Sequence, residues 1–140
     1  MGYMVTGATV ALAALAVAGV ANAQEARTAK AKQAAKAWLA LVDAGSAAAS
    51  WDDAAALFRR SVPKEQWESA VSAVRAPLGR LESRKLLSAS PKKQLPGAPD
   101  GDYLVIQYQS RFQHKADAVE TVTPMRESNG TWKVAGYFVK

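Results

Sequence analysis

The hydrophobic period of this chain changes at Gly79. Before it, apolar residues recur at helical spacing. After it they alternate, as pleated strands require. Such a chain has to bury amphipathic helices against one antiparallel sheet, so the expected class is α+β, with N-terminal helices packed on a four-stranded sheet. A first helix is predicted over Glu25–Asp43, where Ala, Lys and Gln dominate, with Ala34, Trp38, Leu41 and Val42 on its apolar face and Gly45 as C-cap. A second is predicted to start at Ser50 as N-cap, with Asp52 and Asp53 in its first turn, and to end near Arg59, burying Trp51 and Leu57 or Phe58. The third starts near Pro63 and buries Trp67, Val71, Val74 and Leu78.

Downstream, strands are predicted over about Leu81–Gln94, Asp102–Phe112, Ala118–Arg126 and Thr131–Val139. Pro91 marks the first of these as an edge or a bulge. The turn Pro96–Gly101 follows from composition. Asn129-Gly130 signals a hairpin of the type in which both central residues take positive φ.

Alternation assigns faces. Leu104, Ile106, Tyr108, Ser110 and Phe112 are expected to point at the helices, leaving Tyr103, Gln107, Gln109 and Arg111 outside. In the last strand Trp132, Val134, Gly136 and Phe138 are the expected inner set. In the strand before it, Val119, Thr121, Thr123 and Met125 are expected inside and Glu120 outside. On that register no carboxylate or imidazole of these strands reaches the interior. A one-residue slip would bring Glu120 in and restore the group that acid–base catalysis needs.

The leader is a separate feature. Residues 5–21, VTGATVALAALAVAGVA, carry no charge, and Ala21-Asn22-Ala23 places small residues where a signal peptidase reads them. The expected organisation is a signal peptide over 1–23 and one domain over 24–140, with cleavage near Ala23 and a periplasmic or secreted product. The segment Met1–Met4 lacks the usual Lys or Arg. The chain has no cysteine, which removes disulfides, thiolate chemistry and a lipoprotein anchor. Its 18 basic and 12 acidic residues all follow the leader and give a net charge of +6. That charge permits weak attraction to an anionic polymer or lipid. Nucleic acid is not an expected partner, since no recognised binding motif is present.

No residue set reads as catalytic, metal-binding or cofactor-binding. His114 is the single histidine and falls in a turn. Asp52-Asp53 reads as a helix-start charge pair, and Asp100-Gly101-Asp102 lacks calcium-loop spacing. Ser61 and Ser88 stand in no nucleophile motif.

Several blocks occur in order: AKAWLALVDAG, ASWDDAAALFR, VPKEQWESAVSAVRAPLG, LPGAPDGDYLVIQY and GTWKVAGYFVK. Together they resemble the secreted bacterial family catalogued as domain of unknown function 4019. That family is similar in pattern to the NTF2-like (cystatin-like) fold, in which helices pack into a curved antiparallel sheet. The resemblance implies export and a fold but no reaction. It also suggests a pocket between sheet and first helix, for which Trp38, Tyr108, Trp132 and Phe138 are the candidate lining residues. Tyr103, Gln107, Gln109 and Arg111 are the candidate partner surface. The expected function is a non-catalytic binding module of the bacterial envelope, for an envelope protein or a small apolar ligand. The alternative is an NTF2-like isomerase or cyclase using a carboxylate in the pocket.

Overall fold

A computed structural model describes residues 8–140, and side chains from residue 19 onward. The leader's first residues, Met1–Met4 among them, lie outside the described residues. The described order is α1 (Ala8–Asp43), α2 (Ala47–Asp52), α3 (Ala56–Ser61), α4 (Lys64–Leu78), then β1 (Leu81–Lys92), β2 (Tyr103–Phe112), β3 (Lys115–Arg126) and β4 (Trp132–Val139). The strands pair in sequence order, each antiparallel to the next. This is the expected α+β class.

α1 starts well before Glu25. Residues 19–27 are exposed, and burial begins at Ala31 and continues at Ala35, Trp38, Leu39 and Val42. The buried stripe is therefore rotated from the expected one, with Ala34 and Leu41 at its margins. No helix among the described residues is long and apolar enough to cross a membrane. α1 ends as expected at Gly45, whose φ is +76°. Ser46 N donates to Leu41 O (2.9 Å) and Gly45 N to Val42 O (3.0 Å), which is the paired closure that a left-handed cap allows.

The second predicted helix is instead two short ones. Ser50 does not cap; it is fully buried inside α2, donating to Ala47 O (2.7 Å) and accepting from Trp67 Nε1 (2.9 Å). The chain leaves the helix at Asp53 because Ala54 and Ala55 dock on the sheet, where Ala55 N donates to Val134 O (2.8 Å). Glu127 of the β3–β4 connection then accepts from Ala56 N (3.0 Å), satisfying a free donor at the start of α3. In α4, Trp67 and Val71 are buried, whereas Val74 is exposed.

Trp38, Trp67 and Tyr137 form the aromatic centre of the core. Trp38 lies 5.8 Å from Trp67 and 5.4 Å from Tyr137, centroid to centroid. The indole N–H groups of Trp38, Trp51 and Trp67 donate to Ser50 O, Val62 O and Ser50 Oγ, so burying these three rings strands no donor.

Gly79 closes α4 at φ +75°, ψ −159°, a region open essentially only to glycine. A Cβ there would also meet His114 Cδ2 at 2.9 Å and Gln113 Cβ at 3.0 Å. Gly79→Ala should therefore cost about 1–3 kcal/mol in urea unfolding. An unchanged midpoint would contradict this reading of the helix-to-sheet corner.

The β3–β4 hairpin differs from expectation. Only Gly130 has positive φ, at +87°; Asn129 does not. Gly130 N donates to Glu127 O (2.9 Å) and Glu127 N to Thr131 O (2.7 Å). This pattern fits a longer loop with glycine at the bulge position rather than a two-residue turn.

Candidate functional site: a tethered buried carboxylate beside an open cleft

Two bulges decide which side chains reach the helix-covered face. Opposite β2, β1 runs in register from Lys92 to Ser88, then slips, so that Ser88 faces Gln107 and Leu86 faces Tyr108. Leu87 is the extra residue. The slip turns Leu86 and Arg84 onto the face of Tyr108 and Ser110, re-aiming side chains as bulges do. In β4, Gly136 pairs with Thr123 but Val134 pairs with Pro124, which makes Ala135 the extra residue. Beyond it the faces swap: Tyr137 turns in and Phe138 turns out, 51% exposed.

β3 runs opposite to the expected register. Ala118, Glu120, Val122 and Pro124 form its inner set, and all are buried. Glu120 is therefore inside and fully buried, where alternation in the sequence had placed it outside. The reason is pairing. Tyr108 lies opposite Glu120 and Ile106 opposite Val122, so β3 takes its faces from the strongly apolar inner side of β2. Thr121 sits on the other face, nearly buried, with no partner for its hydroxyl.

The Glu120 carboxylate has three donors. Oε1 accepts from Arg84 Nε (2.7 Å) and Ser110 Oγ (2.5 Å), and Oε2 accepts from the Tyr137 hydroxyl (2.5 Å). Arg84 also grips Asp43 through both terminal nitrogens, at 2.8 and 3.0 Å. Arg75 reaches Asp43 at 2.9 Å and lies over the Phe112 ring. Two cations thus balance two anions in one connected cluster spanning α1, α4 and all four strands. Burial opposes the charge on Arg84, but its bonds to Asp43 and Glu120 outweigh that and raise its pKa above the ordinary arginine range.

Burial, and then the charge and hydrogen bond of Glu120, push the Tyr137 phenol well above the ordinary tyrosine range, although Arg75 and Arg84 pull the other way. The folded-state pKa lies above the unfolded one of about 10, so this proton's contribution to stability is intact below about pH 10 and is lost as pH climbs beyond it. Phenolate absorbance followed through alkaline unfolding checks this. Tyr137→Phe should remove amplitude only from the step that coincides with unfolding. An unfolding step of equal amplitude in both proteins would contradict it.

Beside this cluster lies a cleft of about 380 Å³, lined by Lys32, Lys36 and Leu39 of α1, Arg84 and Leu86 of β1, and Tyr108 of β2. It exists because α1 lies mainly over β3 and β4, leaving the inner side of β1 uncovered. Leu86 is 43% exposed there, and the Arg84 guanidinium sits 5.9 Å from the Tyr108 ring centre. Burial raises the Tyr108 pKa, Arg84 opposing and Glu120 adding, so its hydroxyl is a donor at neutral pH.

The expected pocket set does not assemble. Tyr108 lines the cleft. Trp38 is sealed in the core, and Trp132 borders separate recesses with other residues of α1. Phe138 faces away because of the Ala135 bulge. The expected partner surface loses its aromatic anchor: Tyr103 is 2% exposed, and its hydroxyl donates to Pro99 O at 2.5 Å. The connection before β2 folds over that ring, with Gly101 against it, which alternation within the strand does not reveal. Gln107 and Arg111 are exposed and Gln109 is half-buried. Asp52 and Asp53 pair with Lys64 and Lys133.

Helices on one face of an open antiparallel meander, with a cleft at the margin, define a small α+β domain. The profile described as "Protein of unknown function (DUF4019)" matches residues 34–137, and the chain belongs to that family. No curated protein and no solved structure matches the chain.

Proposed function

We propose that this protein is an exported, non-catalytic binding module that takes its ligand in the α1–β1–β2 cleft. The observation that carries the reading is the contrast between its two candidate centres. Glu120, the group an acid–base enzyme would use, is fully buried with three donors on its two oxygens. A general base has to reach a substrate proton, and this one faces only its tethers. The cleft, by contrast, is open and floored by Leu39, Leu86 and the Tyr108 ring. Its volume falls in the ordinary range for small-molecule sites. Methyl-resolved NMR of the full chain against a neutral apolar probe such as Nile red tests the site. Shifts are expected at Leu39 and Leu86; shifts confined to the Phe138 face would reject it.

Export rests on the uncharged run over residues 5–21 and the small residues Ala21 and Ala23. The exposure of residues 19–27 and a family match over residues 34–137 support a domain whose described core begins after Ala23, at Ala31. Periplasmic or secreted localisation follows on this reading, without a lipid anchor. N-terminal sequencing of protein recovered from a bacterial host should give Gln24 or a near neighbour. A retained Met1 would contradict cleavage.

A further inference from the structure

The cleft has a charge pattern as well as a shape. Its cations are Lys32, Lys36 and Arg84. The Arg84 charge is already spent, since Arg75 and Arg84 balance Asp43 and Glu120. Lys32 and Lys36 take part in none of the ion pairs found among the described residues. They sit one helical turn apart on the same side of α1, where like charges repel by about 0.2–0.5 kcal/mol. Two unpaired ammonium groups therefore edge an apolar floor built by Leu39, Leu86 and Tyr108.

Arg84 adds direction. Its Nε donates to Glu120 and one hydrogen of each terminal nitrogen goes to Asp43. Two of its five N–H groups remain, on a side chain that lines the cleft. An anion seated there lies in one lining with the Arg84 guanidinium and the two lysines. Free inorganic anions would leave the apolar floor wet, and a neutral hydrocarbon would leave the lysines without a counter-charge.

Building on the cleft as the binding site, we propose that the ligand is a single-chain amphiphilic carboxylate. Its carboxylate lies at Lys32, Lys36 and Arg84, and its hydrocarbon chain lies on Leu39, Leu86 and Tyr108. Decanoate is the probe and decanol its uncharged counterpart. Calorimetric titration of the full chain should show decanoate binding about tenfold more tightly than decanol, the order expected from two exposed charge contacts. The preference should shrink with salt and disappear in Lys32→Gln/Lys36→Gln, while decanol affinity is retained. Equal affinity for the two probes in the wild type would overturn carboxylate selection and leave the cleft as an apolar site. A decanoate preference that survives the double substitution would place the carboxylate elsewhere and overturn the assignment. Absence of decanoate binding would overturn it too, and Nile red shifts at Leu39 and Leu86 then decide separately whether the cleft binds anything.

Discussion

Arg84→Ala is expected to destabilise the domain by about 3–5 kcal/mol, because it leaves the Glu120 carboxylate buried without its counter-charge. Glu120 is wholly inaccessible and the Arg84 side chain is only 16% exposed, so solvent cannot replace the lost partner. The same principle predicts the rescue. Removing both charges together, in Arg84→Met/Glu120→Met, should recover most of the loss, since a well-packed apolar pair often matches a buried ion pair. Urea unfolding of the wild type, Arg84→Met, Glu120→Met and the double variant gives the coupling directly. Losses that simply add would mean that Arg84 and Glu120 are energetically independent, and the tether would have to be abandoned.

Trp38→Ala carries the other large effect, also about 3–5 kcal/mol. The side chain is 1% exposed and touches Trp67 and Tyr137. Its loss opens a cavity at the centre of the core and leaves Ser50 O without its indole donor. Trp38→Phe should cost less, because it keeps most of the ring contact and forfeits mainly the hydrogen bond, worth about 1–3 kcal/mol when a buried acceptor is left alone. Thermal unfolding of the two variants checks the order. A Phe variant as unstable as the Ala variant would show that the hydrogen bond, not the packing, dominates at this position.

Much of the fold was legible because it rests on local periodicity. The change at Gly79, the Gly45 cap and the inner face of β2 all come from patterns within one element. The site was not legible, because bulges assemble it. Arg84 reaches Glu120 through the slip at Leu87, and Tyr137 through the slip at Ala135. Strict alternation sends Phe138 inward in place of Tyr137 and leaves no reason to look at Arg84. Glu120 itself was misplaced because both faces of β3 are nearly equally apolar, so the strand takes its register from β2 rather than from its own sequence. One signal was present. Ser110 stands on the apolar face of β2, and a buried hydroxyl there demands a partner. That partner is Glu120.

If Glu120 serves the fold and the cleft takes the ligand, as proposed, the two roles are separable, and a fluorescence titration of Nile red against three proteins tests that separation most directly. Glu120→Gln, studied where circular dichroism shows it folded, should bind the dye as the wild type does. Leu86→Glu, which places a charge on the cleft floor and removes no member of the Glu120 cluster, should lose binding where circular dichroism shows it folded. A folded Glu120→Gln protein that no longer binds, beside a Leu86→Glu protein that does, would contradict the account.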